Sequence, residues 1–280
     1  MANIINGTLY ATQIKDELRD EVSLLNNQGI SITLAVIQVG KDPASSVYVA
    51  NKKKACQYVG IHSLSYELPE HTEEKELLTL INDLNNDRSV NGILVQLPLP
   101  GHIHADSVIK AIAAEKDVDG FHPMNVGALW QDQSRFLPCT PAGIIELLKR
   151  SHIPLEGKKC VIIGRSNIVG KPMAALLLRE NATVTIAHSR TTQLAALCKT
   201  ADILIVAVGR SKFVTAEFVK QGSVVIDVGI HRDEKGKLHG DVDFEDVIDI
   251  VGAITPVPGG VGPMTIAMLM NNCVETVRKH

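Results

Sequence analysis

The 280-residue sequence predicts an α/β fold in two domains, the second built on a doubly wound parallel sheet. Three observations carry this. Short apolar runs recur without strict alternation, as strands buried on both faces require. Between them lie stretches whose apolar residues are spaced by three and four, the mark of helices with one buried face. The alternation breaks once, over residues 115–140, where prolines, glycines and scattered polar residues separate two such series. A chain of this length can bury two cores of ordinary size.

In order, the first series reads as a helix over 11–27, a buried strand over 33–39, a helix over 44–59, a strand near 64–68 and a helix over 73–85. A strand over 92–96 and a short helix near 105–114 complete it. The segment 115–140 is the crossing between domains. A helix over 141–150 leads into the second series, with strands at 160–163, 183–187, 203–207 and 223–227 separated by helices. That order is a nucleotide-binding, Rossmann-like pattern. An apolar run over 248–254 and a helix over 265–277 close the chain.

Hydrophobic content of 45% with 21% charged residues fits a soluble globular protein. A net charge of -3 and a pI near 6.4 give no general pull toward nucleic acid or an anionic membrane, so an anion needs a local site. The polar start is no signal peptide and no apolar run is long enough to span a bilayer, which predicts a cytoplasmic protein. Five scattered cysteines form no C-x-x-C and ten histidines no H-E-x-x-H, which predicts a metal-free chain without disulfides.

Six segments carry chemistry. The run Pro256-Val-Pro-Gly-Gly-Val-Gly-Pro-Met-Thr265 holds three prolines and three glycines. Alternating stiff and permissive points suit a loop whose bare backbone meets something flat or charged. The plainer reading is a tight strand-to-helix turn.

At the end of the first strand of the second series, Gly164-Arg-Ser-Asn-Ile-Val-Gly170 opens a helix. A glycine turn at a helix N-terminus offers free N–H groups and the helix dipole to a pyrophosphate. The spacing departs from G-x-G-x-x-G, since Ser166 replaces the second glycine and the last glycine comes one residue late. An NAD site usually has an acidic residue after the next strand. Here His188-Ser-Arg-Thr191 stands there instead, and Ser189, Arg190 and Arg165 suit a 2′-phosphate, which predicts NADP. The competing reading is an ordinary solvated loop.

On the helix over 44–59, Ser45, Tyr48, Lys52, Ala55 and Val59 share one face, which turns apolar toward Val59 and so packs inward. Lys53 and Lys54 point elsewhere as solvated charge. Lys52 alone is carried inward beside Tyr48, where burial disfavours the ammonium form and suits general acid–base work. The alternative is a lysine that snorkels out along the stripe edge. Tyr-x-x-x-Lys also occurs in short-chain dehydrogenases, but there it lies inside the nucleotide-binding fold. Gln96 ends a strand before Leu97-Pro98, a candidate cis bond, and Asp119 lies in Lys116-Asp-Val-Asp-Gly120. Both stand where α/β ligands bind, although Gln96 also reads as a plain strand end and Asp119 as a turn former.

Together these segments closely resemble the bifunctional methylenetetrahydrofolate dehydrogenase/methenyltetrahydrofolate cyclohydrolase family in its short bacterial form. The resemblance rests on Pro43-Ala-Ser-Ser-Val-Tyr-Val-Ala-Asn-Lys52, Gly92-Ile-Leu-Val-Gln-Leu-Pro-Leu99, Lys116-Asp-Val-Asp-Gly120 and Pro138-Cys-Thr-Pro141. It continues through Gly164-Arg-Ser-Asn-Ile-Val-Gly-Lys-Pro172, Val225-Ile-Asp-Val-Gly229 and the Pro256 to Thr265 run, in order along essentially the whole chain.

The resemblance implies a folate-binding catalytic domain over residues 1–138, completed by a C-terminal helix over 263–280, and an NADP domain over 139–262, with an active-site cleft between them. It implies Lys52 as the catalytic residue, Tyr48 beside the pterin and benzoate rings, Gln96 positioning Lys52, and Asp119 on the pterin's amino edge. Leu97, Pro98, Pro258, Gly259, Gly260, Gly262 and Pro263 would line the folate site. Gly164, Arg165, Ser166, Ser189, Arg190 and Ile230 would hold NADP. A cytoplasmic homodimer acting on folate in one-carbon metabolism, supplying purine, histidine and methionine biosynthesis, is what the family implies. Two rivals remain at this stage: a shikimate-type two-domain NADP dehydrogenase, and a non-catalytic nucleotide-sensing module.

Overall fold

Apolar runs become strands, and the amphipathic stretches between them helices, in the computed structural model, which describes residues 2–278. The chain opens with β1 (Asn3–Ile4) and α1 (Gly7–Asn27), then β2 (Thr33–Val39), α2 (Pro43–Val59), β3 (His62–Leu68), α3 (Glu74–Asn86), β4 (Gly92–Val95) and α4 (Ala105–Ala111). β2 lies between β3 and β4 in a three-stranded parallel sheet. Its residues from Leu34 to Val39 are all buried, as a central strand covered on both faces requires, whereas edge strand β3 alternates and is largely exposed. Asp42 caps α2 by accepting the Ser45 N–H at 2.7 Å, and Gly60, at φ 92°, ends it.

Residues 115–140 are not wholly irregular, because α5 (Pro123–Trp130) forms inside them. Pro123 sits in its first turn, where its missing N–H costs nothing, and a ring nitrogen of His122 accepts the Met124 N–H at 3.2 Å. The proline that reads as a breaker is a helix start.

The remaining elements are α6 (Cys139–Arg150), β5 (Lys159–Ile163), α7 (Gly170–Arg179), β6 (Thr183–Ala187), α8 (Leu194–Cys198), β7 (Ile203–Val206), β8 (Val224–Asp227), a hairpin of β9 (His231–Arg232) and β10 (Leu238–His239), α9 (Phe244–Val247), β11 (Ala253–Ile254) and α10 (Val261–Glu275). The sheet runs β1-β11-β8-β7-β5-β6, parallel throughout. The chain turns left and right of β5, to β6 and to β7, so the switch point lies between the carboxyl ends of β5 and β7. The helices expected around the last strands are much reduced. Only a 3₁₀ turn, Ala216–Phe218, stands between β7 and β8, and the core there is filled by Val214, Val219, Val242 and Val247.

The chain divides into two units, residues 12–139 with 266–278 and residues 2–11 with 140–265. The start of the chain therefore departs from the expected assignment to the first domain. β1 pairs Asn3 with Ala253 and Ile4 with Ile254, extending the second sheet, and two residues are too few for periodicity to reveal. Residues of α10 beyond 265 join the first unit through Asn272. Its buried Nδ2 donates to the carbonyls of Val118 and Leu137, each at 2.8 Å. Asn272→Ala leaves the Leu137 carbonyl unpaired and the Val118 carbonyl with only the Cys139 thiol at 3.4 Å, and urea denaturation should show a loss of about 1–3 kcal/mol. A loss under about 0.5 kcal/mol would mean that water replaces the amide.

Candidate active site

In the first unit the inward stripe of α2 behaves as its spacing requires. Ser45, Ala55 and Val59 are buried, Tyr48 is half-buried, and Lys53 and Lys54 are exposed. Lys52 is only 9% exposed, so it does not snorkel. Its Nζ donates to Gln96 Oε1 at 3.0 Å. The Gln96 amide is oriented in turn, because its Nε2 donates to the Leu97 carbonyl at 2.6 Å and so turns Oε1 toward the lysine. The backbone N–H of Gln96 donates to Ile37, which ties the residue to the end of the central strand. One of the three ammonium donors is used, leaving others for a substrate. The Leu97-Pro98 peptide is cis, and Pro98 is exposed. Burial raises the Tyr48 phenol, which keeps it neutral and able to donate.

Asp119 belongs to the same constellation. Burial pushes its carboxyl up to about 6, against the opposing pull of the Lys52 charge, and Asp117 adds to the rise. The Cys139 thiol lies between the Val118 carbonyl, at 3.4 Å, and Asp119 Oδ1, at 4.0 Å. Burial and the neighbouring Asp119 charge hold that thiol well above its ordinary value, so it serves as a neutral wall. A carboxyl raised in the folded state binds its proton more tightly there than in the unfolded chain. Its stabilising contribution is full below the ordinary carboxyl range and is lost as pH rises through about 6. Asp119→Asn should therefore gain stability over the parent as pH rises from about 4 to about 7, reaching about 2–5 °C in Tm. A gain that is independent of pH, or largest in acid, would contradict this.

Asp117 and Cys139 carry no role in the sequence reading. Asp117 is buried and accepts the His122 N–H at 2.7 Å and Asn125 Nδ2 at 2.8 Å, holding the turn from which Asp119 projects. Two aspartates two residues apart, on either side of the buried Val118, were the available signal. Lys116 in the same motif is structural, donating to the carbonyls of Leu84 and Asp87 at the end of α3.

The second unit holds the nucleotide-binding features. Gly164 has φ 129°, and a Cβ there would meet the Ala207 carbonyl oxygen at 2.2 Å, so the ends of β5 and β7 touch through backbone. A Cβ on Gly170 would meet the Gly164 carbonyl oxygen at 2.2 Å, which brings the start of α7 back onto the turn. Both glycines are required by close approach. The Ser166 hydroxyl accepts the N–H groups of Val169 and Gly170, at 3.1 and 3.3 Å, and so holds the loop's shape. Beyond β6, the Thr191 hydroxyl accepts the His188 N–H and His188 Nδ1 accepts the Arg190 N–H, leaving the side chains of Ser189 and Arg190 exposed. Arg165 is exposed, as is Ile230 beyond β8. A backbone cradle, a helix N-terminus and two exposed arginines without a carboxylate after β6 fit a dinucleotide carrying a 2′-phosphate.

The Pro-Gly run has a clear local cause. Gly259 has φ 101° and accepts the Thr8 N–H at 3.0 Å, and a Cβ on Gly7 would strike the Gly260 carbonyl oxygen at 1.8 Å. Gly260 itself is buried, with the Pro256 carbonyl oxygen 2.6 Å from where its Cβ would stand. These two glycines pack backbone on backbone at the start of α1. α10 begins at Val261, four residues earlier than expected, so Gly262 and Pro263 lie in its first turn, where proline is tolerated.

Comparison with known proteins agrees with these features. A family model described as tetrahydrofolate dehydrogenase/cyclohydrolase, catalytic domain, matches residues 5–119, and the model for the NAD(P)-binding domain of the same enzymes matches residues 138–280. The bifunctional protein FolD of Lachnoclostridium phytofermentans is 66% identical over 279 residues, covering 100% of this chain and 99% of its own. The crystal structure of the bifunctional FolD dehydrogenase/cyclohydrolase of Campylobacter jejuni superposes with a TM-score of 0.96 at 52% identity, covering 99% of this chain and 98% of its own. The Trypanosoma brucei dehydrogenase-cyclohydrolase, solved with NADP cofactor and an inhibitor, gives 0.94 at 38% identity over 98% and 97% of the two chains.

Proposed function

Because the chain belongs to the tetrahydrofolate dehydrogenase/cyclohydrolase family, we infer a bifunctional folate one-carbon enzyme with its acid–base chemistry centred on Lys52. It oxidises 5,10-methylenetetrahydrofolate to the 5,10-methenyl form with NADP, then hydrolyses that product to 10-formyltetrahydrofolate. The observation that carries the assignment of roles is the buried Lys52 held by an amide that is itself held.

When bound, NADP supplies the hydride acceptor for the first step. Arg165, Ser189 and Arg190 would bind its 2′-phosphate, the Gly164 to Gly170 turn its pyrophosphate, and Ile230 its body. The chain's own residues align the folate. Asp119 would take the pterin's amino edge, Tyr48 would pack on the rings and donate its neutral hydroxyl, and Leu97 and Pro98 would line the site. Pro258, Gly262 and Pro263 are proposed to line it too. Gly259 and Gly260 are better explained by their packing.

In the hydrolytic step water adds to the cationic methenyl carbon and a C–N bond opens, so one proton must leave the water and one must reach the departing nitrogen. Lys52 is placed to move it. Gln96 fixes the direction of Nζ, and Asp119, raised to about 6, is a neighbouring carboxyl able to exchange a proton near neutral pH. A homodimer in the cytoplasm completes the reading. No helix among the described residues is long and apolar enough to cross a membrane.

Substrate choice tests the reading against its rivals. NADP⁺ should be reduced with methylenetetrahydrofolate and not with shikimate. Reduction with shikimate alone would return the shikimate-type dehydrogenase, and NADP⁺ binding without turnover on either would return the sensing module.

A further inference from the structure

Two buried carboxylates in the second unit have no part in the chemistry above. Asp241, 0% exposed, accepts three consecutive backbone N–H groups just beyond β7. Oδ2 takes those of Val208 and Gly209, at 2.7 and 2.9 Å, and Oδ1 takes that of Arg210 at 2.9 Å. His231 Nε2 lies 2.7 Å from the same Oδ1. Asp227, at the end of β8, accepts the N–H groups of Gly229 and Asp241 on Oδ1 and of Val242 on Oδ2, each at 2.9 Å. The turns wrap these carboxylates closely, since a Cβ on Gly229 would meet Asp241 Cγ at 2.4 Å and one on Gly240 would meet Asp227 Oδ2 at 1.9 Å.

Successive N–H groups converging on one point are the arrangement by which a strand end binds an external anion. Here the chain's own carboxylate fills it. The place matters, because the end of β7 borders the switch point, where ligands of doubly wound sheets bind, and Gly164 touches Ala207 there. A phosphate finds no free backbone N–H at residues 208–210, since all three point at Asp241, and the exposed Arg210 guanidinium, 4.5 Å from the Phe213 ring centroid, is the donor that turn retains. The backbone of the turn beyond β7 then presents carbonyl edges rather than N–H donors to a ligand. Ile230 is held from both sides by the same network, through the Gly229 N–H on Asp227 and the His231 ring on Asp241.

We propose that Asp241 is a positioning residue for the cofactor: its carboxylate, seated by Asp227, fixes the turns beyond β7 and β8 that border the cofactor site. This rests on the cofactor-dependent reading above and adds a residue to it.

The test is Asp241→Asn, which keeps the side chain's shape but turns an amide N–H toward donors, with His231→Ala as a milder variant at a partly exposed position. NADP⁺ affinity by calorimetry should weaken about tenfold or more in Asp241→Asn and about two- to fivefold in His231→Ala. Dehydrogenase kcat/KM for NADP⁺ should fall in step. Cyclohydrolase turnover of methenyltetrahydrofolate, which consumes no cofactor, should stay within about twofold of the parent. Unchanged NADP⁺ affinity in a folded Asp241→Asn overturns the proposal, and so does an equal loss of both activities, which a purely structural role gives. If Asp241→Asn does not fold, the same split is required of His231→Ala, and its absence overturns the proposal. A parent without either activity would count against the functional reading, while NADP⁺ affinity still decides the role of Asp241.

Discussion

Lys52→Met should abolish cyclohydrolase turnover, by about 10³-fold or more, while measurable hydride transfer persists. Methionine keeps most of the stem's volume in the buried stripe of α2 but removes every donor. Gln96 Oε1 then loses its partner at 3.0 Å, and the proton relay for ring opening is gone. Hydride transfer depends mainly on alignment of folate and cofactor, which Tyr48, Asp119 and the nucleotide turn still provide. The loss also has a pH signature. The Lys52 charge pulls the Asp119 carboxyl down from where burial would place it, so the variant's carboxyl should titrate above the parent's value of about 6. The remaining dehydrogenase activity should therefore reach its alkaline plateau at a higher pH if ionised Asp119 holds the pterin. Normal cyclohydrolase turnover in Lys52→Met would remove this residue from the mechanism.

The second large effect concerns cofactor choice. Arg165→Ala with Ser189→Asp removes one exposed guanidinium and sets a carboxylate after β6, where the parent has none. Charge-assisted hydrogen bonds are worth about 1.5–3 kcal/mol each, and the new carboxylate repels a 2′-phosphate while accepting from a ribose hydroxyl. Preference for NADP over NAD, read as the ratio of kcat/KM values, should fall by about 10²-fold or more. Unchanged selectivity would show that the 2′-phosphate is held elsewhere, with Arg190 the nearest cation left on that turn.

The inward stripe of α2 was legible because helical spacing is a local property: Lys52 stands four residues from Tyr48 and three from Ala55, so its burial follows from its neighbours. The same holds for β2, whose apolar run can only be a covered strand. Cys139 and Asn272 were not legible, since each meets backbone carbonyls remote in sequence that no pattern marks. Asn272 did leave a trace as a polar residue within an apolar helix face. Asp241 left none, because a carboxylate that fills a backbone nest looks in sequence like any loop aspartate. β1 escaped because its partner, β11, lies some 250 residues away. The Pro-Gly run shows the converse, a conspicuous motif whose glycines 259 and 260 are explained by packing against α1.

The most direct measurement is one reaction of the purified chain with methylenetetrahydrofolate and NADP⁺, following NADPH and the methenyl species together. NADPH should rise while methenyltetrahydrofolate stays low and 10-formyltetrahydrofolate accumulates, and in Lys52→Met the methenyl species should instead build up in step with NADPH. No NADPH from the parent, or equal methenyl build-up in parent and variant, would contradict a single chain carrying both steps through Lys52.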